Sequence, residues 1–353
     1  MKNIVFCADG TRNSQKDQTN VYKTYTMLQE DPDQVTCYDK GVGTRFGNIL
    51  RGSIFGRGLA INVLDGFKFI SNNYTEGDRI FLFGFSRGAY TVRSLASMIS
   101  LCGLAPKGSS WRTRKRFWKA YKRNRKSDFD ERMDKIQSDF GTIRAEVEAI
   151  CVWDTVGSIG MQTRMRDIRK KLWHEYHRMT VYPQVRAIYH AVSLDERRTQ
   201  FYPHLLIDQA ESEDTTVEEV WFAGVHSDVG GGFRSDDSSL GDIALRWMLS
   251  RVSDRLTVKA GMLEGLKPDP LGRMHNVERG IFYSFFRKKS RPVRRGSVLH
   301  PSVKTRMASP PHRHHQHREP SGNYEPLSLA FARFGSPPDF GIEGNYRISS
   351  ERP

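Results

Sequence analysis

One short segment, residues 79–90, most constrains how this chain can fold. After Arg79 it has four apolar residues typical of a buried strand, and Ser86 then stands between Gly84 and Gly88 in a G-x-S-x-G pattern. Residues 89–101, which follow, have the apolar periodicity of a helix. In a sharp strand-to-helix turn, side chains at the two flanking positions would collide with the strand or the helix, so glycine is favoured there. The pattern predicts a nucleophile elbow that presents the Ser86 hydroxyl.

The backbone around such an elbow is expected to bind a developing oxyanion. The N–H of the residue after the nucleophile, here Arg87, points into the pocket of these turns. Residues 3–8 predict a first strand, and the carboxyl ends of strands supply the active site in open α/β sheets. We therefore predict that Gly10 or Thr11 supplies a second N–H and that Asp9 orders the loop. An ordinary Asp-Gly turn is an equally good interpretation.

The acid of a catalytic triad is sought at a strand end that follows the nucleophile in the chain. Residues 148–153 predict a strand that ends at Asp154, which we assign as the triad acid. A turn-capping aspartate is the alternative interpretation. Asp195, after the apolar run 187–192, is a reserve acid.

A histidine completes this arrangement in the order serine, acid, histidine. Residues 220–225 predict a strand that leads into His226, and a triple-glycine loop follows. We assign His226 as the base and give Asp228 a supporting role, although Ser-Asp at this point also makes a polar turn. His300 is a reserve histidine, and His190, inside an apolar run, is interpreted as a core residue.

A strongly basic stretch separates the elbow helix from the next predicted strand. Residues 107–126 contain ten basic and no acidic residues, and Trp111, Trp118 and Tyr121 fall near one face of a helix. Such a helix can pack as a cap on the domain, lie on an anionic membrane, or bind nucleic acid. Together with a second amphipathic helix it predicts an insertion at about residues 106–145, over the site.

Charge and composition limit the kinds of binding partner and the cellular location that the sequence predicts. A net charge of +15 calls for a polyanionic partner such as nucleic acid, anionic lipid or an acidic protein. No apolar run approaches the length of a membrane span, and aspartate interrupts the first apolar stretch too early for a signal peptide. The sequence therefore predicts a protein that is cytoplasmic as synthesised. We expect no metal site, because a solvated tract is the favoured interpretation of the histidines at 312–317.

Taken together, the motifs resemble the type VI secretion phospholipase-effector catalytic-domain family, earlier described as an uncharacterised α/β-hydrolase domain family. The matching stretches run in family order over roughly residues 1–305, and they are residues 6–13, 41–44, 84–90, 152–157, 195–198 and 225–232. We accordingly divide the chain into a catalytic domain at 1–305 and a basic, His/Pro-rich extension at 306–353.

The resemblance implies an α/β-hydrolase-like, mostly parallel sheet with helices on both faces and a basic helical cap. It also implies hydrolysis of lipid esters, typically phospholipids, by a Ser86, Asp154 and His226 triad that needs no cofactor. Delivery by type VI secretion, with a secretion-apparatus or immunity-protein partner, is implied as well.

From these inferences we predict a serine hydrolase of phospholipase A type. Its basic insertion would contact a phospholipid membrane through Trp111, Trp118 and Tyr121. Two alternatives stay open. One is a general carboxylesterase or thioesterase that acts on soluble esters, and the other is a basic nucleic-acid-binding protein on an inactive hydrolase scaffold, with nucleic acid the less favoured partner.

Overall fold

The computed structural model describes most of the chain. The described residues are 1–10, 13–41, 52–123, 129–157, 184–206, 214–275, 289–291, 293–294, 296–309, 324–326, 328–329 and 346–348. Thr11, residues 42–44 and the histidine tract at 312–317 lie outside them. Most of the predicted extension at 306–353 lies outside as well.

A single parallel sheet organises the described residues. Its eight strands are β1 (Asn3–Ala8), β2 (Gln34–Asp39), β3 (Arg79–Phe85), β4 (Val147–Trp153), β5 (Ala187–Ser193), β6 (Thr216–Phe222), β7 (Ser297–Leu299) and β8 (Tyr346–Ile348). Their spatial order is β2-β1-β3-β4-β5-β6-β7-β8, and every neighbouring pair is parallel. Because parallel strands all end at one edge, the loops after β1, β3, β4, β5 and β6 meet there, at what we call the carboxyl edge.

Side chains of the central strands alternate between two apolar layers. On β1, Ile4 and Phe6 enter one buried cluster, whereas Val5 and Cys7 enter the other. This alternation follows from the two-residue period of a strand, and burial on both faces explains why the strands are apolar throughout.

Helices cover both faces, as predicted. In chain order the α-helices of the described residues are α1 (Asn20–Met27), α2 (Gly52–Asn73), α3 (Arg87–Cys102), α4 (Trp111–Arg123), α5 (Phe129–Phe140), α6 (His226–Gly230), α7 (Ser239–Ser250) and α8 (Pro301–Ala308). Phe67 of α2 and Leu95 of α3 pack in one layer, and Val21 of α1 and Leu245 of α7 pack in the other. The arrangement confirms the α/β-hydrolase-like fold.

The predicted insertion is a helical hairpin of α4 and α5. Leu104 and Ile143, at its two ends, exchange backbone hydrogen bonds of 2.8 and 3.0 Å. The N–H of Gly108 donates to Oδ1 of Asn72, at the end of α2. Since α2 and α3 both end at the edge opposite Ser86, the hairpin begins and ends at that opposite edge and packs along α2 and α3.

Burial of the insertion's aromatic residues corrects the prediction that all three contact a membrane. Trp118 and Tyr121 are only 6% and 4% exposed and belong to the hydrophobic core, whereas Trp111 is 60% exposed. The neighbouring Phe117 ring packs against Phe67 at a centroid distance of 5.4 Å. The helix therefore uses its aromatic face for the core, because burying rings against α2 and α3 removes apolar surface from water.

None of the helices in the described part of the chain combines the length and the apolar character needed to cross a bilayer.

Candidate active site

Ser86 occupies the strained turn that its sequence pattern predicts. It follows β3 directly and precedes α3, with φ 59° and ψ −119°, a backbone conformation that non-glycine residues rarely adopt. A Cβ atom at Gly88 would lie 2.0 Å from the carbonyl oxygen of Ala8, and one at Gly84 would lie 2.7 Å from the backbone of Ala89. Close packing of the turn against β1 and α3 is therefore possible only with glycine at these two positions.

Three side chains from three loops form a continuous hydrogen-bonded chain at the carboxyl edge. Nε2 of His226 lies 2.9 Å from Oγ of Ser86, and Nδ1 of His226 lies 2.5 Å from Oδ2 of Asp154. All three residues are buried. This is the arrangement in which a serine hydroxyl is deprotonated by a histidine whose other nitrogen is held by a carboxylate.

Electrostatics favour the protonation states that this chemistry needs. Burial lowers the pKa of His226, and the hydrogen bond to Asp154 opposes part of that shift, so the imidazole is neutral at neutral pH. Burial would raise the pKa of Asp154, but the Arg291 guanidinium and then His226 hold that carboxyl well below its usual range. The ionised carboxylate selects the tautomer with a proton on Nδ1, which leaves Nε2 to accept from Ser86.

Two aromatic rings hold the imidazole in place. Phe85, next to the nucleophile, lies 4.6 Å from the His226 ring, and Phe201 contacts it edge-on at 4.7 Å. The N–H of His226 donates to Oε2 of Glu196 over 3.3 Å, and Glu196 is paired with Arg198 at 2.7 Å. His226 is the first residue of the short helix α6, not the end of the predicted strand, because β6 already stops at Phe222.

The loop after β1 lies close to Ser86. A Cβ at Gly10 would approach that of Ser86 to 3.2 Å. The N–H of Gly10 donates to Oδ1 of Asp9 at 2.7 Å, so it is occupied within its own loop. The Asp9 carboxylate also accepts from three further side chains, namely Asn13, Thr19 and Tyr38.

Asp228 stabilises the loop that carries His226, and within the described residues it contacts none of the side chains of Ser86, Asp154 and His226. Its carboxylate accepts from the N–H of Val225, immediately before His226, at 3.0 Å. It also contacts Nδ1 of His275 at 2.7 Å. These contacts fix the first turn of α6 and join it to the segment after α7.

The two reserve residues, His300 and Asp195, form hydrogen bonds with other groups. His300 caps α8, contacts Oγ of Ser302 at 2.8 Å and stacks on Phe222 at 4.6 Å. Burial lowers the pKa of His300 to about 4. Asp195 accepts from the N–H of Gly224 and the hydroxyl of Tyr324, at 2.6 and 2.7 Å. The serine is thus joined to His226, and the carboxylate that holds His226 is that of Asp154.

Arg291 is the site residue that sequence reasoning missed. Its guanidinium is 2% exposed and forms two hydrogen bonds with the Asp154 carboxylate, at 2.5 and 3.0 Å. In sequence it belongs to a basic, proline-bearing stretch, which is typical of a solvated loop. Nothing in the local pattern distinguishes it from its basic neighbours.

A cavity of about 620 Å³ lies at the opposite edge of the sheet, where residues such as Asp78, Arg144 and Glu146 line it. Within the described ranges, no group of three or more histidine, cysteine or acidic side chains has the geometry to hold a metal ion.

Comparison with known proteins gives one matching family and one curated relative. Residues 2–251 match the family model for the type VI secretion system phospholipase effector Tle1-like catalytic domain. The chain is 30% identical over 232 residues to the uncharacterized protein YEL023C of Saccharomyces cerevisiae, a match that covers 57% of this chain and 32% of that protein. The chain thus spans about a third of the curated relative's length.

Two solved structures are similar at lower levels. An uncharacterized protein from Pseudomonas aeruginosa has 16% identity and a TM-score of 0.44, with 78% of this chain and 48% of that one covered. A Tle1 effector bound to the VgrG spike of the type 6 secretion system has 16% identity and a TM-score of 0.39, with coverages of 68% and 52%. Because the family model spans well over half of the chain, this chain belongs to the Tle1-like phospholipase effector family and carries its catalytic domain.

Proposed function

We propose that this protein is a serine hydrolase that cleaves the carboxylic ester bonds of phospholipids, an activity of phospholipase A type. The observation that carries the proposal is the unbroken chain from Ser86 through His226 to Asp154, with contacts of 2.9 and 2.5 Å. Family membership supports the substrate class, since the family is one of phospholipase effectors.

In the proposed acylation step, Oγ of Ser86 attacks the ester carbonyl carbon while Nε2 of His226 takes its proton. The tetrahedral intermediate collapses when His226 returns that proton to the leaving lysolipid oxygen. The acyl group stays on Ser86. A water molecule then repeats the sequence with His226 as base and releases the fatty acid. Asp154 remains ionised throughout and stabilises the imidazolium.

The oxyanion needs donors aimed at the carbonyl oxygen. Arg87 begins α3 directly after the nucleophile, so its N–H stands at the amino end of a helix whose dipole favours negative charge. The second donor stays a prediction: Gly10 lies against Ser86 but its N–H is bonded to Asp9, and Thr11 is outside the described residues.

We propose that the protein contacts the membrane through the outer face of α4. This surface is mainly basic and has one exposed tryptophan, unlike the surface of three aromatic residues predicted from sequence. Arg112, Lys115, Arg116 and Lys119 are exposed at helical spacing. Trp111 stands at one end of this row, with the Lys115 ammonium 5.4 Å from its ring. A row of cations with one exposed tryptophan suits an anionic lipid surface. Family membership likewise supports delivery by a type VI secretion apparatus as a proposal.

The direct test is fatty-acid release from mixed phospholipid vesicles by the wild-type protein and by Ser86→Ala. Loss of about a thousandfold or more in rate without the hydroxyl is expected of a triad nucleophile. Ser227→Ala, which removes a hydroxyl next to the base, is a matched control that should retain most of the activity. Cleavage of soluble short-chain esters but not of vesicles would replace the lipid proposal with a general esterase. Salt-sensitive binding to DNA or RNA, with no turnover that depends on Ser86, would replace it with a nucleic-acid-binding protein.

A further inference from the structure

The buried guanidinium of Arg291 contacts the triad from a part of the chain that the family model does not cover. The match ends at residue 251, whereas Arg291 lies between α7 and β7. It nevertheless reaches the acid of the triad, which is 137 residues earlier in the chain. The segment after the matched region therefore completes the surroundings of the site.

The contacts of Arg291 fix both oxygens of Asp154. One terminal nitrogen donates to Oδ1 at 2.5 Å and the other donates to Oδ2 at 3.0 Å, which is the two-pronged geometry that suits a planar guanidinium. Oδ1 also accepts from the N–H of Ser193 at 3.0 Å, and Oδ2 faces Nδ1 of His226. The carboxylate is thus held in one rotamer, with one oxygen aimed at the imidazole.

The backbone of the acid also needs support. Asp154 has φ 41°, in the left-handed region that residues with a Cβ seldom adopt. A residue in that region keeps its conformation only when surrounding contacts hold it. Arg291 supplies two such contacts to the side chain.

The same guanidinium joins the acid to the ring that packs on the base. It donates to the carbonyl oxygens of Ser193 at 2.7 Å and of Phe201 at 2.5 Å. The Phe201 ring contacts His226 edge-on, and the guanidinium carbon of Arg198 lies over the same ring, 3.9 Å from its centroid. One residue therefore positions the carboxylate and the aromatic wall of the imidazole together.

We propose that Arg291 is a positioning residue of the triad: it holds Asp154 ionised and oriented, and so sets the protonation range in which His226 acts as base. This inference rests on the proposed serine-hydrolase function. A guanidinium against a buried carboxylate stabilises the charged form of that carboxylate. It also offsets part of the negative charge that would otherwise favour a protonated imidazole.

Other charged groups lie near Asp154 and His226. Glu196 accepts from the backbone N–H of His226, and its charge is paired with Arg198. On the β4 side, Nε2 of His190 accepts from the N–H of Thr155, next to the acid, and Nδ1 of His190 contacts Glu219. Glu196 and Arg198 form a compensating ion pair, and the charge of Glu219 lies near the guanidinium of Arg93.

Removal of Arg291 should therefore shift the acidic limb of the pH–rate profile to higher pH. Without the guanidinium, buried Asp154 binds a proton more readily, and any carboxylate that stays ionised raises the pKa of His226. Both changes require a higher pH before the active ionisation state forms. We expect Arg291→Met to shift the acidic midpoint of the rate profile upward by about one pH unit. The rate at neutral pH should fall by roughly tenfold to hundredfold, since small misplacements of catalytic groups have such effects.

The experiment measures the second-order rate of inactivation by a fluorophosphonate from pH 4 to pH 9. In that reaction Oγ of Ser86 bonds to phosphorus, fluoride leaves and His226 takes the serine proton, so no lipid preference enters. Arg291→Lys keeps the charge without the fork, and we expect its acidic midpoint near that of the wild type with about tenfold slower inactivation. Arg251→Met is the matched control, because Arg251 is a buried arginine paired with Glu218 at 2.9 Å, and its profile should coincide with that of the wild type.

Each outcome of this experiment supports or overturns the positioning role of Arg291. A wild-type protein that does not react with the fluorophosphonate defeats the proposed function itself. If the wild type reacts and the Arg291→Met profile overlies it, the positioning role is wrong while the serine hydrolase stands. Should Arg291→Met fail to fold, Arg291→Lys still decides: inactivation as fast as that of the wild type would leave Arg291 with only a structural role.

Discussion

The backbone N–H of Thr155 donates to Nε2 of His190 over 3.1 Å, which ties the loop after the triad acid to the neighbouring strand β5. Because Nε2 accepts, Nδ1 carries the proton and donates to Glu219 at 2.9 Å, and Glu219 also accepts from the N–H of Leu206. His190 is fully buried. The histidine that sequence reasoning assigned to the core is thus a hydrogen-bonded link beside the site.

We expect His190→Ala to lower the free energy of unfolding by about 2–4 kcal/mol, because it leaves a cavity and removes one hydrogen-bond donor from the Glu219 carboxylate. Thermal unfolding followed by circular dichroism measures the effect. His190→Gln offers both a donor and an acceptor and should recover part of the loss. Equal destabilisation by the alanine and glutamine variants would show that packing, and not the hydrogen-bonded link, matters at this position.

A second prediction concerns which histidine is the base. His226→Ala should lower the rate of ester hydrolysis by about a thousandfold or more, since it removes the group that accepts the serine proton. His300→Ala removes a ring that stacks on Phe222 and caps α8, so it should lower the melting temperature and leave most of the activity per folded molecule. The two variants are compared by their rates of hydrolysis of soluble esters, at a temperature where both are folded. Greater loss with His300→Ala would reverse the assignment.

The pH dependence of hydrolysis follows from the direction of the His226 shift. The base must be neutral, and burial lowers its pKa from the ordinary 6.5, so kcat/KM should rise with a midpoint below that value. Asp154 is ionised throughout this range because Arg291 holds its pKa low, so it adds no second step. A profile of kcat/KM against pH tests this, and a midpoint above 6.5 would contradict it.

Stability should also depend on pH through Asp39 at the end of β2. Burial, then Asp65 and Asp9, raise the pKa of Asp39 from 3.8 to about 7, and its Oδ2 has no hydrogen-bond partner in the described residues. The folded state therefore binds a proton that the unfolded state has lost between about pH 4 and pH 7, so this group makes stability fall as pH rises through that window.

Asp39→Asn should accordingly raise the melting temperature at pH 8 and change it little at pH 4. Scanning calorimetry at the two pH values gives the difference. The exposed Asp236→Asn is the control and should show no such pH-dependent gain. Equal changes at both pH values would show that Asp39 is not protonated in the folded state.

A final prediction addresses the basic face of α4. The double variant Lys115→Glu and Lys119→Glu should reduce turnover on anionic vesicles several-fold at low salt, and the difference should shrink as salt screens the charges. Turnover of a soluble ester should not change. The double variant Lys267→Glu and Lys304→Glu, at two exposed positions outside α4, provides a charge-matched control. If the double variant retained full vesicle activity at low salt, this face would not contact the membrane.

Most of the sheet could be predicted because the signals that define it are local. The first strand predicted at 3–8 is β1, and the strand predicted at 148–153 is β4 within one residue, since uninterrupted apolar runs between turns are typical of buried parallel strands. The strand before His226 was placed too late, at 220–225 instead of Thr216–Phe222. Its first four residues include two glutamates, so this part of the strand lacks the apolar pattern from which a buried strand is predicted.

By itself the sequence determined the elbow, the edge at which the site lies and the residue types of the triad, because a glycine-flanked serine and polar residues after apolar runs are properties of neighbouring residues. Only the tertiary structure decided that His226 and not His300 meets Ser86, that Trp118 and Tyr121 face the core, and that Arg291 is buried against Asp154. These facts depend on contacts between segments far apart in the chain. A charged or aromatic residue looks the same in sequence whether water or a distant segment surrounds it.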